Sequence, residues 1–248
     1  MSSRTLTTDA VVLRSIRFSE ADCVLHLYTL GKGRVGAIAK GVRKTRSRFG
    51  ARLEPLSHVE LLLHEGRGDL HTVRGAQLVR SHDRSRTDPY RLAVGHIGLE
   101  AVLRLFVEEE AQPPAFHALT RFLDLLDDVE ATLPAQPSLE PLVLSFQLKL
   151  LWLSGYLPHL TSCAACGREA RPLVGFSARA GGAVCRECAA DALPLSEAGF
   201  VGIAALLERP LAGAREAGLG EDALRQCLRV IERSYEEHGG FRLRTLSA

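Results

Sequence analysis

Two Cys-x-x-Cys pairs, Cys163-Ala-Ala-Cys166 and Cys185-Arg-Glu-Cys188, stand eighteen residues apart and constrain this chain more than any other feature. Two intervening residues let the backbone turn so that both thiolates of a pair face one ion, and four thiolates at roughly 2.3 Å complete a tetrahedral zinc shell. Gly167 follows the first pair and Gly181-Gly182 precedes the second. Glycine there permits the positive φ that leans backbone amides toward sulfur. Two redox pairs or a disulfide clip are the competing readings, and both leave the paired spacing to chance. Four protein ligands keep no position open for water or substrate, so one structural Zn2+ is expected, fixing an insertion too small to own a core. His159 then reads as a surface or outer residue. Arg168, Arg171, Arg179 and Arg186 surround the site, but Glu169 and Glu187 offset them.

The 248 residues, 46% of them hydrophobic, suffice for one large core or two to three small ones. No run of eighteen uncharged apolar residues occurs, and Met1-Ser-Ser-Arg-Thr lacks the apolar run of a signal peptide, so a cytoplasmic protein without a membrane partner is expected. Reduced thiols suit that compartment, and Cys23 and Cys227, outside the pairs, read as buried apolar residues. The net charge of +2 hides an asymmetry. Between Asp22 and Glu54 no acidic residue interrupts Lys32, Arg34, Lys40, Arg43, Lys44, Arg46, Arg48 and Arg52, and the remaining chain carries 23 basic against 29 acidic residues. A concentrated basic stretch on a slightly acidic body is the footprint of a polyanion-binding surface.

The first eighty residues read as strands. Ala10 to Ile16, Cys23 to Thr29 and Arg34 to Lys40 are followed, after the basic excursion, by Val59 to His64 and Leu70 to Val79 around Gly66-Arg-Gly68. Five short strands must hide their edges, and an OB-type barrel is the economical solution, a small sandwich the second. From Asp88, a cap before Pro89, the pattern turns helical and carries Leu92, Ile97, Val102, Leu105 and Phe106. Phe116, Leu119, Phe122, Leu123, Leu126 and Val129 mark the next helix, with Asp124, Asp127 and Asp128 mostly off its apolar face. Residues 131 to 138 read as a linker. Leu142 to Leu153, with Trp152 inside it, is apolar on nearly all sides and reads as a central buried helix. After the cysteines, Ser196 caps a helix bearing Phe200, Ile203, Leu206 and Leu207, and a last helix from Glu221 to His238 aligns Leu224, Cys227, Leu228, Ile231 and Tyr235 before Gly239-Gly240. The expected class is α+β: a five-stranded OB-type barrel at 1–80, a helical domain at 81–160 and 194–248, and a four-cysteine zinc element inserted at 161–193.

The basic stretch carries the functional signal. Lys40-Gly-Val-Arg43-Lys44-Thr-Arg46-Ser-Arg48-Phe49-Gly-Ala-Arg52 places six cations in thirteen residues, with Thr45, Ser47 and glycine amides between them. Guanidinium forks and lysine charges neutralise phosphates while hydroxyls add hydrogen bonds, so DNA contact is expected at these six and at Arg34. The first eighty residues offer only Phe18, Tyr28 and Phe49 for stacking bases. Binding governed by backbone charge, with little sequence preference, strong salt dependence and room for single strands and duplex alike, follows. Asp9, Glu20, Asp22, Glu54, Glu60, Glu65 and Asp69 are the only candidates for a two-metal nuclease and read as strand faces. No Gly-rich phosphate loop, His-Glu metalloprotease pair or nucleophile elbow occurs, so an enzyme is not expected. Glu108-Glu109-Glu110 reads as a solvated helix end. A zinc-stabilised protein-binding adaptor is the alternative.

Together these residues resemble the RecO family of bacterial recombination mediators. Lys40-Gly-Val-Arg-Lys with Ser47-Arg48-Phe49 and Leu53-Glu-Pro-Leu56 is similar to its basic signature, and Phe146 to Pro158 followed by Cys163-Ala-Ala-Cys-Gly167 and Gly181-Gly-Ala-Val-Cys185 to its helix-to-zinc segment. The likeness spans essentially the whole chain. It implies an OB barrel, a helical domain and an inserted zinc element. It further implies binding of single- and double-stranded DNA, annealing of complementary strands, partnership with RecR and single-stranded-DNA-binding protein, help in loading RecA, and a nucleoid-associated place in the cytoplasm.

Overall fold

The computed structural model describes residues 5–44, 47, 49–66, 68–128, 136–169 and 172–246. They fall into two compact units, Met1–Asp128 and Val129–Ala248.

In the first unit, strands β1 (Thr5–Arg17), β2 (Cys23–Thr29), β3 (Gly33–Ala39), β4 (His58–His64) and β5 (Leu70–Arg80) close into a barrel in the order β1-β2-β3-β5-β4. All neighbours run antiparallel except β3 and β5. The alternation that suggests strands is realised: in β3, Gly33, Val35, Ala37 and Ala39 point inward, and β4 buries Val59, Leu61 and Leu63. With Leu25, Leu27, Phe49 and Leu53 they fill one apolar core. Closure pairs every strand on both sides and leaves no edge exposed to another chain. A register shift between Val12 and Arg14 in β1 lets Val11, Val12 and Leu13 all be buried, the bend a bulge introduces.

The helices α1 (Asp83–Thr87), α2 (Pro89–Leu105) and α3 (Pro113–Asp128) complete this unit. Asp88 caps α2, its carboxylate accepting from the Arg91 amide at 2.8 Å. Gly95 and Gly98 are notches in α2: a Cβ on Gly95 would stand 2.4 Å from Leu56, and one on Gly98 2.4 Å from Phe122. The acidic edge of α3 is a latch rather than a solvated face. Asp124 accepts from the buried His82 Nε2 at 3.0 Å and pairs with Arg80 Nε at 3.3 Å, while Asp127 accepts from the Ser85 amide at 2.7 Å. His82 Nδ1 faces the Leu56 carbonyl at 2.7 Å, so both ring nitrogens meet acceptors.

Glu108-Glu109-Glu110 is exposed, as expected, but it is not a helix end. The helix stops at Leu105, and the segment after it lies along β3: Arg34 and Glu108 form a bridge, the Glu109 amide donates to the Arg34 carbonyl at 2.9 Å, and the Glu110 carbonyl covers Gly33. Phe106 packs on Tyr28 with ring centroids 5.4 Å apart. Hydrophobic burial of Phe106 draws the chain back onto the barrel, which a local reading of three glutamates does not register.

The second unit is built on α4 (Pro141–Leu153), packed by α5 (Glu197–Glu208) and α6 (Glu221–Ser234). Ser196 caps α5 by accepting from Gly199 N at 3.2 Å, and Cys227 on α6 is fully buried, as Cys23 is nearly so in the barrel. Of the expected linker, Pro137–Leu139 form a 3-10 turn, and 131–135 lie outside the described residues. α4 is buried at nine positions, but Trp152 is not among them. Its indole is 59% exposed and lines an open groove of about 720 Å3 with Leu157, Phe200 and Val201. The all-round apolar pattern hid that one side of the last turn opens on this groove. Between α4 and α5, β6 (Leu173–Ser177), β7 (Gly182–Cys185) and β8 (Leu193–Pro194) form a small antiparallel sheet in the order β7-β6-β8.

Candidate metal centre and nucleic-acid interface

The small sheet exists to present sulfur. Cys185 ends β7 and Cys188 sits one 3-10 turn later, while Cys163 and Cys166 lie on a tight turn that Gly167 closes, its amide donating to the Cys163 carbonyl at 2.7 Å with φ at +72°. The two turns face one another because the Ala164 amide donates to Ala183 O at 2.8 Å, next to the exchange of bonds between His159 and residues 181 and 183. Gly182 is obligatory there, since a Cβ would fall 2.2 Å from the His159 carbonyl oxygen. All four sulfurs lie within 4.8 Å of one another. Cys163 and Cys185 are buried, Cys166 and Cys188 partly so.

Electrostatics distinguishes Cys163 from Cys188. The Cys185 amide, donating to Cys163 Sγ at 3.4 Å, outweighs burial and with the amides of Cys166 and Ala165 brings the Cys163 thiol down to about 6. Hydrogen bonding to the Cys185 sulfur, reinforced by burial and by the sulfurs of Cys166 and Cys163, pushes Cys188 up to about 12. Four sulfurs this close cannot all be anionic without a cation among them, and that is the compensation a metal ion supplies. The soft, four-membered, closed donor set fits a metal held for structure. His159 is no ligand: its Nε2 bonds Ser162 Oγ at 2.7 Å, and its backbone pairs with β7. Arg168 pairs with Glu187 at 3.4 Å, the offset that the local charge balance suggests, and Arg171 lies outside the described residues.

The described cations of the basic stretch do not form one cluster. At one end of β3, Arg34 is held by the Leu103 carbonyl at 2.8 Å and by Glu108 at 3.2 Å, and Lys32 pairs with Glu65 at 2.6 Å. Six residues along β3, roughly 20 Å at strand rise, the exposed Lys40 and Lys44 line an open concavity with Ser19, Glu20, Ala21 and Asp22, and Arg43 is exposed on the same loop. Arg52 is exposed on the 3-10 turn Gly50–Leu53, its guanidinium 3.4 Å from the Phe49 carbonyl. Arg46 and Arg48 lie outside the described residues. The structure therefore brings Lys40, Arg43 and Lys44 together and places Arg34 elsewhere, already neutralised. Burial first, then Arg14 and Arg34, hold the His26 imidazole below its usual range, so β2 adds no further positive charge there.

A second contributor went unnoticed in the sequence. The turn from β1 to β2 is tied to the basic loop: Gly41 N donates to Asp22 Oδ1 at 2.8 Å, Arg43 N to Ala21 O at 3.1 Å, and Arg43 Nη1 to Glu20 O at 3.2 Å. Arg17, which ends β1, and Phe18, on this turn, are exposed. Their one sequence signal is an aromatic set between Arg17 and Ser19, in a turn rather than a strand.

Two family descriptions match the chain: Recombination protein O N terminal over residues 1–82 and Recombination protein O C terminal over residues 86–247. The DNA repair protein RecO of Rubrobacter xylanophilus is 41% identical over 228 residues, covering 89% of this chain and 88% of that protein. RecO of Syntrophotalea carbinolica is 36% identical over 229 residues, covering 91% and 86%, and that of Alkaliphilus metalliredigens 34% over 183 residues, covering 74% and 72%.

Proposed function

This chain belongs to the RecO family of DNA repair and recombination proteins, and from that premise we propose that it binds single- and double-stranded DNA without sequence preference and anneals complementary strands. Partnership with RecR and with single-stranded-DNA-binding protein, and help in loading RecA, complete the proposal. The observation that carries the DNA reading is the exposed trio Lys40, Arg43 and Lys44 on one hydrogen-bonded platform; we assign DNA contact to Arg46, Arg48 and Arg52 as well, on the sequence alone. Arg34 contributes least, because Glu108 already meets its charge.

The mechanism is physical. Two strands repel through their phosphates, and a compact cationic surface lowers that repulsion in proportion to the phosphates it neutralises. Tyr28 and Phe49 are fully buried, so base edges stay free to pair with the second strand. No step calls for a catalytic residue or a nucleotide. The cysteine quartet would hold one Zn2+ that fixes residues 161–193 and takes no part in the annealing step. No helix among the described residues is long and apolar enough to cross a membrane.

Reversing Arg43 and Lys44 to glutamate tests the site. Affinity for a short oligonucleotide should fall, and the slope of log K against log salt should flatten by roughly 0.7 per lost contact on single strands and 0.9 on duplex. An unchanged slope would move the DNA site off this loop.

A further inference from the structure

Among the described residues of the barrel, one aromatic ring faces solvent. Phe18 is 65% exposed, while Tyr28 and Phe49 are core residues. A single exposed apolar side chain is ordinary on its own, and the placement of this one is what matters. It stands on the β1–β2 turn, whose geometry is fixed internally by Phe18 N and Ser19 N donating to Asp22 O at 3.0 and 3.3 Å and by Asp22 N donating to Ser19 Oγ at 3.2 Å. The same turn is fixed externally by the three bonds to Gly41 and Arg43. The ring is thus carried by the rigid body that carries Lys40, Arg43 and Lys44, with Arg17 as its chain neighbour. In barrels of this topology the β1–β2 loop is one of the two that meet oligonucleotides.

We propose that Phe18 is the base-stacking residue of this surface: with a strand's phosphates on Lys40, Arg43 and Lys44, one unpaired base lies against its ring. This rests on the DNA reading above and adds to it a preference for single strands. A base in duplex already has both faces stacked and presents none to the ring. One unpaired base does, and its stack contributes without regard to sequence, because every base has a π-face. The wall of the concavity formed by Glu20 and Asp22 points the same way. Asp22, which accepts from the Gly41 amide, and the exposed Glu20 both repel phosphate, leaving that side to the uncharged part of a nucleotide. A single stacking position also suits annealing, since it grips the strand at one base and leaves its neighbours free.

The test compares the full-length protein with Phe18→Ala and Phe18→Trp on three fluorescent probes of equal length: oligothymidylate, an abasic oligodeoxynucleotide, and a duplex. Loss of one stack should weaken oligothymidylate binding about 5- to 150-fold. Abasic and duplex affinities, and the salt slope, should not change, because all phosphate contacts remain. Phe18→Trp should bind oligothymidylate as well as the parent or better, with its added indole fluorescence quenched in a Trp152→Phe background. Equal binding of oligothymidylate by Phe18→Ala and the parent overturns the inference while leaving the DNA reading intact. So does an equal loss on all three probes, which marks a disturbed turn rather than a lost stack. Failure of the parent to bind any probe at low salt removes the DNA reading, and this inference with it.

Discussion

Arg215→Met isolates a buried charge pair that organises the second unit. Glu140 is completely buried at the start of α4, where one carboxylate oxygen accepts from the Val143 amide at 3.1 Å and the other from Arg215 Nε at 2.6 Å. Burial raises its pKa, and Arg215 and the amides of Val143 and Leu142 only partly oppose this. The folded chain therefore holds the Glu140 proton more tightly than the unfolded chain. Stability from this site is fully present below the unfolded pKa of about 4.3 and is lost as pH rises through the folded value. Without the guanidinium, folding at pH 7 requires either an unpaired buried anion or protonation of the carboxyl, and the second route costs about 3.7 kcal/mol, 1.36 for each of about 2.7 pH units. That agrees with the about 3–5 kcal/mol typical of breaking one partner from a buried pair. Urea unfolding at pH 5, 6, 7 and 8 reads it directly. The variant should lose stability with rising pH at up to about 1.4 kcal/mol per unit, more steeply than the parent, and adding Glu140→Gln should abolish the extra slope. A variant that parallels the parent across that range would mean the carboxylate is solvated, and would refute the burial argument.

Two further tests bear on the metal and on the segment over β3. Cys185→Ser should bind zinc substoichiometrically and speed amide exchange across Leu173–Cys185, since a structural zinc contributes about 10–16 kcal/mol to small modules. Its DNA affinity should fall less than after reversal of Arg43 and Lys44; loss of DNA binding with an intact barrel would give the zinc element a direct role. Gly33→Ala places a Cβ 1.9 Å from the Glu110 carbonyl oxygen at φ +66°, so it should cost about 2–5 kcal/mol and release Glu108 from Arg34. Gly31→Ala, whose nearest neighbour is Thr8 Oγ1 at 3.4 Å, is the control, and equal melting temperatures for the two variants would show that the 106–110 segment is not seated on β3.

Legibility followed the range of the physics. The cysteine quartet was readable because ligand spacing is a short-range constraint with few competing uses. Strand alternation was readable for the same reason, as in β3, where every second residue is buried. The caps at Asp88 and Ser196 are local hydrogen bonds, and both form. What escaped depends on partners distant in the chain. No local pattern reveals that Gly98 is small to admit Phe122, that Asp124 is reserved for His82, or that the final turn of α4 leaves Trp152 in a groove.

Cations and cysteines differ in this respect. A run of cations records charge density without its neutralisation, and Glu108, 74 positions from Arg34, and Glu65 beside Lys32 withdraw two of the eight from the outer field. The withdrawal is directional: both paired cations lie at the Gly33 end of β3, and the exposed trio at the Ala39 end. Of the described cations in the basic stretch, the exposed Lys40, Arg43 and Lys44 thus lie at the end that also carries Phe18. A count of three aromatics in eighty residues argues for weak base contact, but it spreads the contact evenly over the barrel. With two of the three rings in the core, the proposed base contact would fall on one position, Phe18, beside the exposed cations. An annealing surface needs that inequality, because a grip distributed over many bases would compete with the second strand for the faces and edges it must reach.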